Sequence, residues 1–561
     1  MNPLTRRQAI ATLGAIASAA SAGDGQAQNI TPQSPGALEK GALERNDAAV
    51  ARLLAQQVTD DANPYLGSFP DRFGLHAPGS AAGAIQTFAA SFVHPQSKYR
   101  ADGAVMQRIG AAVSYLERSQ SPEGNIDLPT TNFNSPPDTA FAVNHVASAA
   151  AIGQKHGVPE ISAVLRTFLA KAGNALSSGG VHTPNHRWVV CAALAQLNEI
   201  FPNSSYVRRI EEWLGESVDT DADGQFIERS TLVYDIICDR SFVVMAAKLG
   251  RPELLEPARA NLQNLAYLLH ANGEVESGVS SRQDRDTRGN AAGYWFPLAY
   301  LAQHDSNKDF AAIATLLGPE HSSLADFLEY PELLRPSPPL TLLPVDFEKY
   351  FPASEMVRVR RAALSGTVIL RGSSRVFAMQ YGDAAITGVR FASAFFGKGQ
   401  FVPEQFEKRG KVWYMRQILE APYYQPLDKQ VTRENWAATR AQRRQTQVCK
   451  LEQTLEVSES KGGFSLRFRA AGTNNVPVAI EIGFREGGQL EGCTTAPAKP
   501  GMLLGSGTGT FRGGKNSIRF GSGAAPHQYT QLRGAEAPLA GQSVYITGVT
   551  PFDHTVVLEG A

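Results

Sequence analysis

The hydrophobic periodicity of this chain changes once, and that change limits the possible fold more than any single motif. Between about residues 40 and 330, apolar side chains recur at spacings of three and four, in 48–54, 84–92, 104–116, 140–151, 161–176, 188–200, 232–249, 254–269 and 291–301. Such spacing keeps one helical face apolar, so each stretch is predicted to be a helix. Turn-forming clusters separate them, at Ser121-Pro122-Glu123-Gly124, Ser135-Pro136-Pro137-Asp138, Phe201-Pro202-Asn203 and Asn272-Gly273. After Pro336-Ser337-Pro338-Pro339 the period drops to two, or the runs become β-branched, in 357–359, 366–371, 376–381, 447–457, 463–470, 478–484, 507–511, 517–520 and 543–547.

Helix pairs of roughly 40–50 residues without a crisp repeat motif predict an α/α toroid, a ring of helical hairpins, rather than a tetratricopeptide or HEAT array. The second half predicts an antiparallel β-sandwich. The expected division is 1–27 export signal, 28–340 toroid and 341–561 β-sandwich. In the first segment Arg6-Arg7 precede an apolar run, and small-residue cleavage sites come next at Ala20-Ser21-Ala22 or Gly25-Gln26-Ala27. Thr5-Arg6-Arg7-Gln8 is similar to a twin-arginine signal, although Ala9 stands where Phe is usual. The expectation is export to a bacterial periplasm, with no membrane span, as a monomer or weak homo-oligomer. The 53 basic and 53 acidic residues balance, so nothing marks a nucleic-acid partner. Of four cysteines, Cys449 and Cys493 flank one β-rich stretch and are a candidate pair; Cys191 and Cys238 lie in apolar helical patterns and read as buried thiols.

Chemistry concentrates in two places. Thr183-Pro184-Asn185-His186-Arg187-Trp188 opens a helix, with Pro184 suited to its first turn and Thr183 to its N-cap. Backbone N–H groups at such an end favour an anion. A carboxylate there would gain from the helix, from the Asn185 amide and from the His186 imidazole. Farther on, Asp223-Gly224-Gln225-Phe226-Ile227-Glu228-Arg229-Ser230 turns the chain into the helix from 232, which would set Ser230, Tyr234 and Cys238 on one face. An amide, an imidazole and a phenol brought together can remove a proton from the carbon beside a carboxylate, which is uronic-acid β-elimination. Each residue also has a purely structural reading: Asn185 as a cap, His186 packed under the turn, Tyr234 in the core. His182 and His186 have the i,i+4 spacing of metal ligands, but Pro184 between them and the missing Glu of a zincin argue against zinc.

Further sugar-binding candidates are Asn134 and Asp138 in Asn132-Phe133-Asn134-Ser135-Pro136-Pro137-Asp138-Thr139, where Asp138 or Thr139 could instead cap a helix. Arg187, Glu228 and Arg229 flank the two motifs. Arg285 and Arg288 belong to Ser281-Arg282-Gln283-Asp284-Arg285-Asp286-Thr287-Arg288, an arginine-rich connection that could clamp a polyanion or hold internal salt bridges. Arg229 or Arg240 is expected to supply positive charge near Tyr234. Tyr294-Trp295 and Trp413-Tyr414 are weaker stacking candidates.

Together, Asn185-His186 and the Asp223–Tyr234 stretch resemble the heparinase-like polysaccharide lyases, including alginate and chondroitin or hyaluronate lyases. The resemblance covers most of the mature chain and implies a toroid followed by β-sandwich domains. It implies that Asn185 and His186 bind and neutralise a uronate, while Tyr234 serves as general acid or base at the glycosidic oxygen. Several such lyases carry a further catalytic histidine, and some of them zinc ligands, in the first β-domain. This chain has no histidine between His321 and His527, so the base at C5 is Tyr234 or His186, depending on the substrate's stereochemistry. The expected partner is an acidic oligo- or polysaccharide, with no organic cofactor and a structural divalent metal left open. Two alternatives stand: a toroid glycoside hydrolase pairing Asp138 with Glu228 or Asp223, and a non-catalytic glycan-binding protein.

Overall fold

A computed structural model describes residues 31–428, 430–497 and 501–561; the expected export segment, 1–27, lies outside them. The chain divides into two compact units, one continuing to Leu269 and resuming over Gly273–Pro344, the other comprising His270–Asn272 and Val345–Ala561.

The first unit is helical, with α1 (Pro35–Gln56), α2 (Pro78–Val93), α3 (Gly103–Ser119), α4 (Pro136–Lys155), α5 (Pro159–Leu176) and α6 (Pro184–Ile200). It continues with α7 (Ser204–Leu214), α8 (Tyr234–Leu249), α9 (Glu256–Leu268), α10 (Trp295–His304), α11 (Lys308–Leu317) and α12 (Leu324–Glu329). Five of these begin on a proline, Pro35, Pro78, Pro136, Pro159 and Pro184, whose fixed φ suits the first turn and whose missing N–H costs nothing there. Alternate helices α2, α4, α6 and α8 pack on one another, while α3, α5, α7 and α9 each back one of them. Helix α12 packs on α2 and α4. The result is an α/α toroid with an inner and an outer layer. Inner helices are buried almost all round: α6 buries an unbroken run from Trp188 to Leu197. They are also aligned end to end. Phe141 of α4 meets His186 of α6 near their starts, and Lys248 of α8 pairs with Glu199 of α6 near their ends. A short hairpin, β1 (Ile126–Leu128) and β2 (Asn132–Ser135), leads into α4.

All nine helices expected from periodicity are present. The start of α8 needs correcting, since it begins at Tyr234; Ser230 lies before the helix, and its hydroxyl accepts the Tyr234 N–H at 3.2 Å.

The second unit is a β-sandwich. Its strands are β3 (Asp346–Phe351), β4 (Met356–Arg361), β5 (Leu364–Ile369), β6 (Phe377–Tyr381), β7 (Ala384–Ser393), β8 (Gln405–Arg409), β9 (Val412–Tyr424), β10 (Gln445–Ser460) and β11 (Gly463–Gly472). After them come β12 (Pro477–Phe484), β13 (Gln489–Glu491), β14 (Thr494–Thr495), β15 (Gly501–Leu503), β16 (Thr508–Gly513), β17 (Asn516–Gly521), β18 (Gln542–Val549) and β19 (Phe552–Gly560). One sheet runs β13-β16-β17-β19-β11-β10-β9-β8, the other β14-β15-β18-β12-β7-β6-β5-β4-β3. Pairing is antiparallel apart from β15 with β18. Between the sheets lies an apolar layer that includes Phe377, Phe391, Phe464, Phe468 and Phe484. Trp413 joins that core, and Tyr294 and Trp295 join the toroid's, so these three rings are not surface platforms; Tyr414 lies on the other face of β9, under Arg409. All four cysteines are free thiols, Cys191 and Cys238 buried; burial pushes both of those thiols up, which leaves them unreactive.

Candidate active site

Three segments of the toroid converge: the start of α6, the turn and start of α8 around 228–234, and the connection 277–290. Glu228 links the first two. It is buried, with 5% exposure, and its Oε2 accepts both the Asn185 backbone N–H at 3.2 Å and the Asn185 side-chain amide at 2.6 Å. Thr183 is the N-cap of α6 but makes no capping bond with its side chain. Glu228 therefore satisfies that helix end from a distance, and its charge occupies the place where the sequence suggested a substrate carboxylate.

The same contacts orient Asn185. The amide nitrogen donates to Glu228 and also lies 3.2 Å from Thr183 Oγ1, so both its hydrogens are used within the protein. Asn185 Oδ1 and His186 Nδ1 are buried without a hydrogen-bond partner among the described residues. Two orphaned polar atoms on neighbouring residues, at a helix start, are the kind of exception that calls for an explanation. Burial pushes the His186 imidazole down to about 4, with further lowering from His182 and Arg282, so the ring is neutral through the physiological range. His182 meets it edge-on at 4.7 Å between centroids.

Connection 277–290 brings the third element. Ser281 donates its backbone N–H and its hydroxyl to the Glu228 carbonyl, both at 3.0 Å. The neighbouring Arg282 lies with Nε 3.1 Å from Glu228 Oε1, misaligned for a hydrogen bond, so the attraction is coulombic. Its guanidinium stands 5.1 Å from the centre of the Tyr234 ring. Gln283 donates to the Tyr234 hydroxyl at 2.8 Å. Asn185, Glu228, Arg282 and Tyr234 thus form one unbroken chain of contacts, with His186 beside it. Asp284 anchors the connection from below: its carboxylate accepts the Leu232 N–H at 3.1 Å and the Ser280 hydroxyl at 2.6 Å.

Other candidates are engaged elsewhere. Arg187 binds Asp219 at 2.9 Å, Glu216 at 3.3 Å and the Ser217 carbonyl, and stacks on Trp188. Arg229, with a positive φ of 47°, forks onto Asp221 at 3.0 and 3.2 Å. Asp138 sits in the first turn of α4, where its carboxylate accepts from Asn132 at 2.8 Å and from Ser135 at 2.5 Å; the N-cap is Ser135, which accepts the Asp138 N–H, and not Asp138 or Thr139. Asn134, also at positive φ, accepts from Asn125 at 3.2 Å. Arg288 pairs with Glu274, and Arg285 is exposed on the same connection. Of the arginines there, Arg282 reaches Tyr234, whereas the expected Arg229 pairs with Asp221 and Arg240 with Asp326. The arginine-rich stretch was a visible signal, but which arginine turns inward depends on the loop's path. No group of three or more His, Cys, Asp or Glu side chains among the described residues is placed to hold a metal ion, and no helix among them is long and apolar enough to cross a membrane.

No protein-family model matches the chain, and no curated protein does. Solved structures match in fold. The chondroitin AC lyase of Streptomyces coelicolor A3, in complex with chondroitin sulphate, superposes with a TM-score of 0.56 at 12% identity, over 94% of this chain and 82% of that one. A Paenibacillus xanthan lyase gives 0.56 at 10% identity, over 94% of this chain and 58% of that one. A tyrosine-to-alanine variant of the Streptomyces enzyme gives 0.50 at 13% identity, over 94% and 83%. The chain has the toroid-plus-β-sandwich fold that these polysaccharide lyases share.

Proposed function

We propose that the protein is a polysaccharide lyase that cleaves a uronic-acid-containing glycan by β-elimination. The observation that carries this reading is the meeting of two orphaned atoms, Asn185 Oδ1 and His186 Nδ1, with the Tyr234 hydroxyl and the Arg282 guanidinium. A bound sugar acid supplies what those atoms lack. Removing the proton at C5 puts a second negative charge on the carboxylate, and Arg282 with the His186 N–H stabilises that charge as it develops. Asn185 offers an acceptor to a sugar hydroxyl and is held there by Glu228. The electron pair from C5–H forms the C4–C5 double bond, the C4–O bond breaks, and Tyr234 returns a proton to the leaving oxygen. With proton and leaving group syn, Tyr234 is also the base; with an anti arrangement, neutral His186 is the base.

The structural neighbours, a chondroitin lyase and a xanthan lyase, support a uronate glycan as substrate. Hydrolysis is less well supported, because Asp138 is held by Asn132 and Ser135 and Glu228 is held by Asn185 and Arg282. The test is a screen of alginate, glycosaminoglycans, pectins and glucuronate-capped plant or microbial glycans for new ultraviolet absorbance. Elimination leaves a conjugated double bond; chain cleavage without that absorbance would replace this reading with hydrolysis.

A further inference from the structure

Below the candidate active site, the inner face of the toroid carries a second polar cluster with no part in the elimination chemistry. His145 lies one turn beyond Phe141 on α4, and Phe141 itself contacts His186, with ring centres 6.1 Å apart. Arg240 lies six residues beyond Tyr234 on α8, roughly 9 Å along the helix at 1.5 Å per residue. Both side chains are reached by solvent although they sit on inner helices: His145 is exposed, and the Arg240 side chain is 42% exposed. Arg240 is held in place without being enclosed. It donates to Asp326 Oδ1 at 2.6 Å and lies 4.3 Å over the Phe296 ring. Asp326 is fixed in turn by the capping box of α12.

A relay sets the tautomer of His145. Lys248 donates to Glu329 at 2.6 Å, Ser148 donates to Glu329, and Gln86 donates to Ser148 at 2.8 Å. The Gln86 carbonyl must then accept, so the His145 Nδ1 atom 2.8 Å away carries the hydrogen and Nε2 keeps its lone pair. Desolvation by the surrounding protein, with Arg240 adding to it, pushes the histidine down to about 4. It therefore stays an acceptor at neutral pH. Farther along, Lys248 bridges Glu329 and Glu199 at 2.6 and 2.7 Å, with Lys248 and Glu329 only 3% and 4% exposed. Glu199 itself is exposed, so the pair it makes with Lys248 is open to solvent at one end.

We propose that His145 and Arg240 form a subsite on the toroid's inner helices that takes a second acidic sugar of the glycan, Arg240 pairing with its carboxylate or sulfate and His145 Nε2 accepting from one of its hydroxyls. The division of labour comes from the groups themselves: a guanidinium can hold an oxyanion through parallel N–H bonds, whereas an imidazole whose proton is committed to Gln86 can only accept. This inference rests on the lyase reading for the sugar that enters above it.

The test measures equilibrium binding to full-length Tyr234→Phe protein, so that turnover does not interfere. Uronate oligosaccharides whose second sugar bears a carboxylate, a sulfate or neither are titrated separately. Arg240→Gln is expected to weaken at least one acidic ligand about tenfold or more and to leave the neutral one within about twofold. The acidic ligand that loses more identifies the group recognised. His145→Leu, which leaves the Arg240–Asp326 pair intact, is expected to weaken the ligands bearing that hydroxyl several-fold, and it decides the matter should Arg240→Gln fold poorly. Equal losses on acidic and neutral ligands, or no loss with either variant, would overturn the subsite. Absence of elimination with every uronate glycan would instead overturn the lyase reading, and the binding comparison would still be informative.

Discussion

At the scale of single residues, the site separates groups that act on substrate from groups that hold them. Tyr234 has a hydroxyl bonded by Gln283 and a cation beside its ring, so Tyr234→Phe should cut turnover by about a thousandfold while leaving folding and much of the affinity intact. Arg282→Met should reduce kcat and raise KM together, because the guanidinium meets the carboxylate in both ground and transition states; an unchanged KM would remove it from carboxylate binding. Two pH effects of opposite sign are expected. His186 titrates near 4 in the folded chain against 6.5 unfolded, so between those values the unfolded state binds more protons. Stability should therefore fall as pH drops from about 6.5 to 4, and an acid limb of the rate profile due to His186 should lie near 4. Asp239 is fully buried, its two oxygens have no hydrogen-bond partner among the described residues, and burial with Asp235 nearby raises it well above the usual carboxylate range. There the folded state keeps a proton the unfolded chain has lost, so stability declines as pH rises. Asp239→Asn should lose less stability than the parent between pH 5 and 8 in urea titrations; an identical pH response would show that Asp239 is already ionised in the fold.

At the scale of elements, the connection 277–290 matters more than any helix, because it delivers Arg282 and Gln283. It is tied down at Asp284 and by the Thr231 hydroxyl on the Glu276 carbonyl at 2.9 Å. Asp284→Ala would leave the Leu232 N–H and the buried Ser280 hydroxyl without their acceptor, a loss of about 1–3 kcal/mol for each group stranded. The expected result is a lower Tm, faster hydrogen exchange over 277–290 and reduced kcat; normal exchange there would mean that the loop is held by other contacts. This connection also marks where sequence reading stops. Helices with three- and four-residue apolar spacing were legible, and so was the Asn185-His186 pair with Tyr234, because short motifs at helix starts carry their own geometry. Helix α7 escaped because it buries only Tyr206 and Ile210, and α12 because it is six residues long. Strand β9 alternates in burial, yet its inner face includes Gln417 and its outer face Ile418, which hides the two-residue period. Strand β7 is buried on both faces, so it shows no alternation at all. Glu228 was visible as a polar residue near the cleft, but its role as a cap for a helix 43 residues earlier is a tertiary fact that no local pattern encodes.

At the scale of the whole molecule, the charge balance shapes how an acidic glycan can be captured. With 53 basic and 53 acidic residues, the protein has no net field to draw a polyanion from a distance, unlike strongly basic proteins whose encounter rates fall steeply with salt. Attraction must come from a few cations at short range: Arg282 beside Tyr234, and Arg240 in the second-sugar subsite. Contacts of this kind lie well inside the Debye length of about 10 Å at 0.1 M salt and involve partly buried guanidinium groups, where screening is weak. The expected outcome is a kcat/KM that changes by no more than about threefold between roughly 0.05 and 0.3 M salt on an acidic glycan substrate. Arg282→Met should lower the whole curve without altering its slope by much. Initial rates measured by ultraviolet absorbance across a salt series would check both. A tenfold or steeper decline for the parent protein would mean that capture depends on a longer-range basic surface, and the short-range account of binding would have to give way.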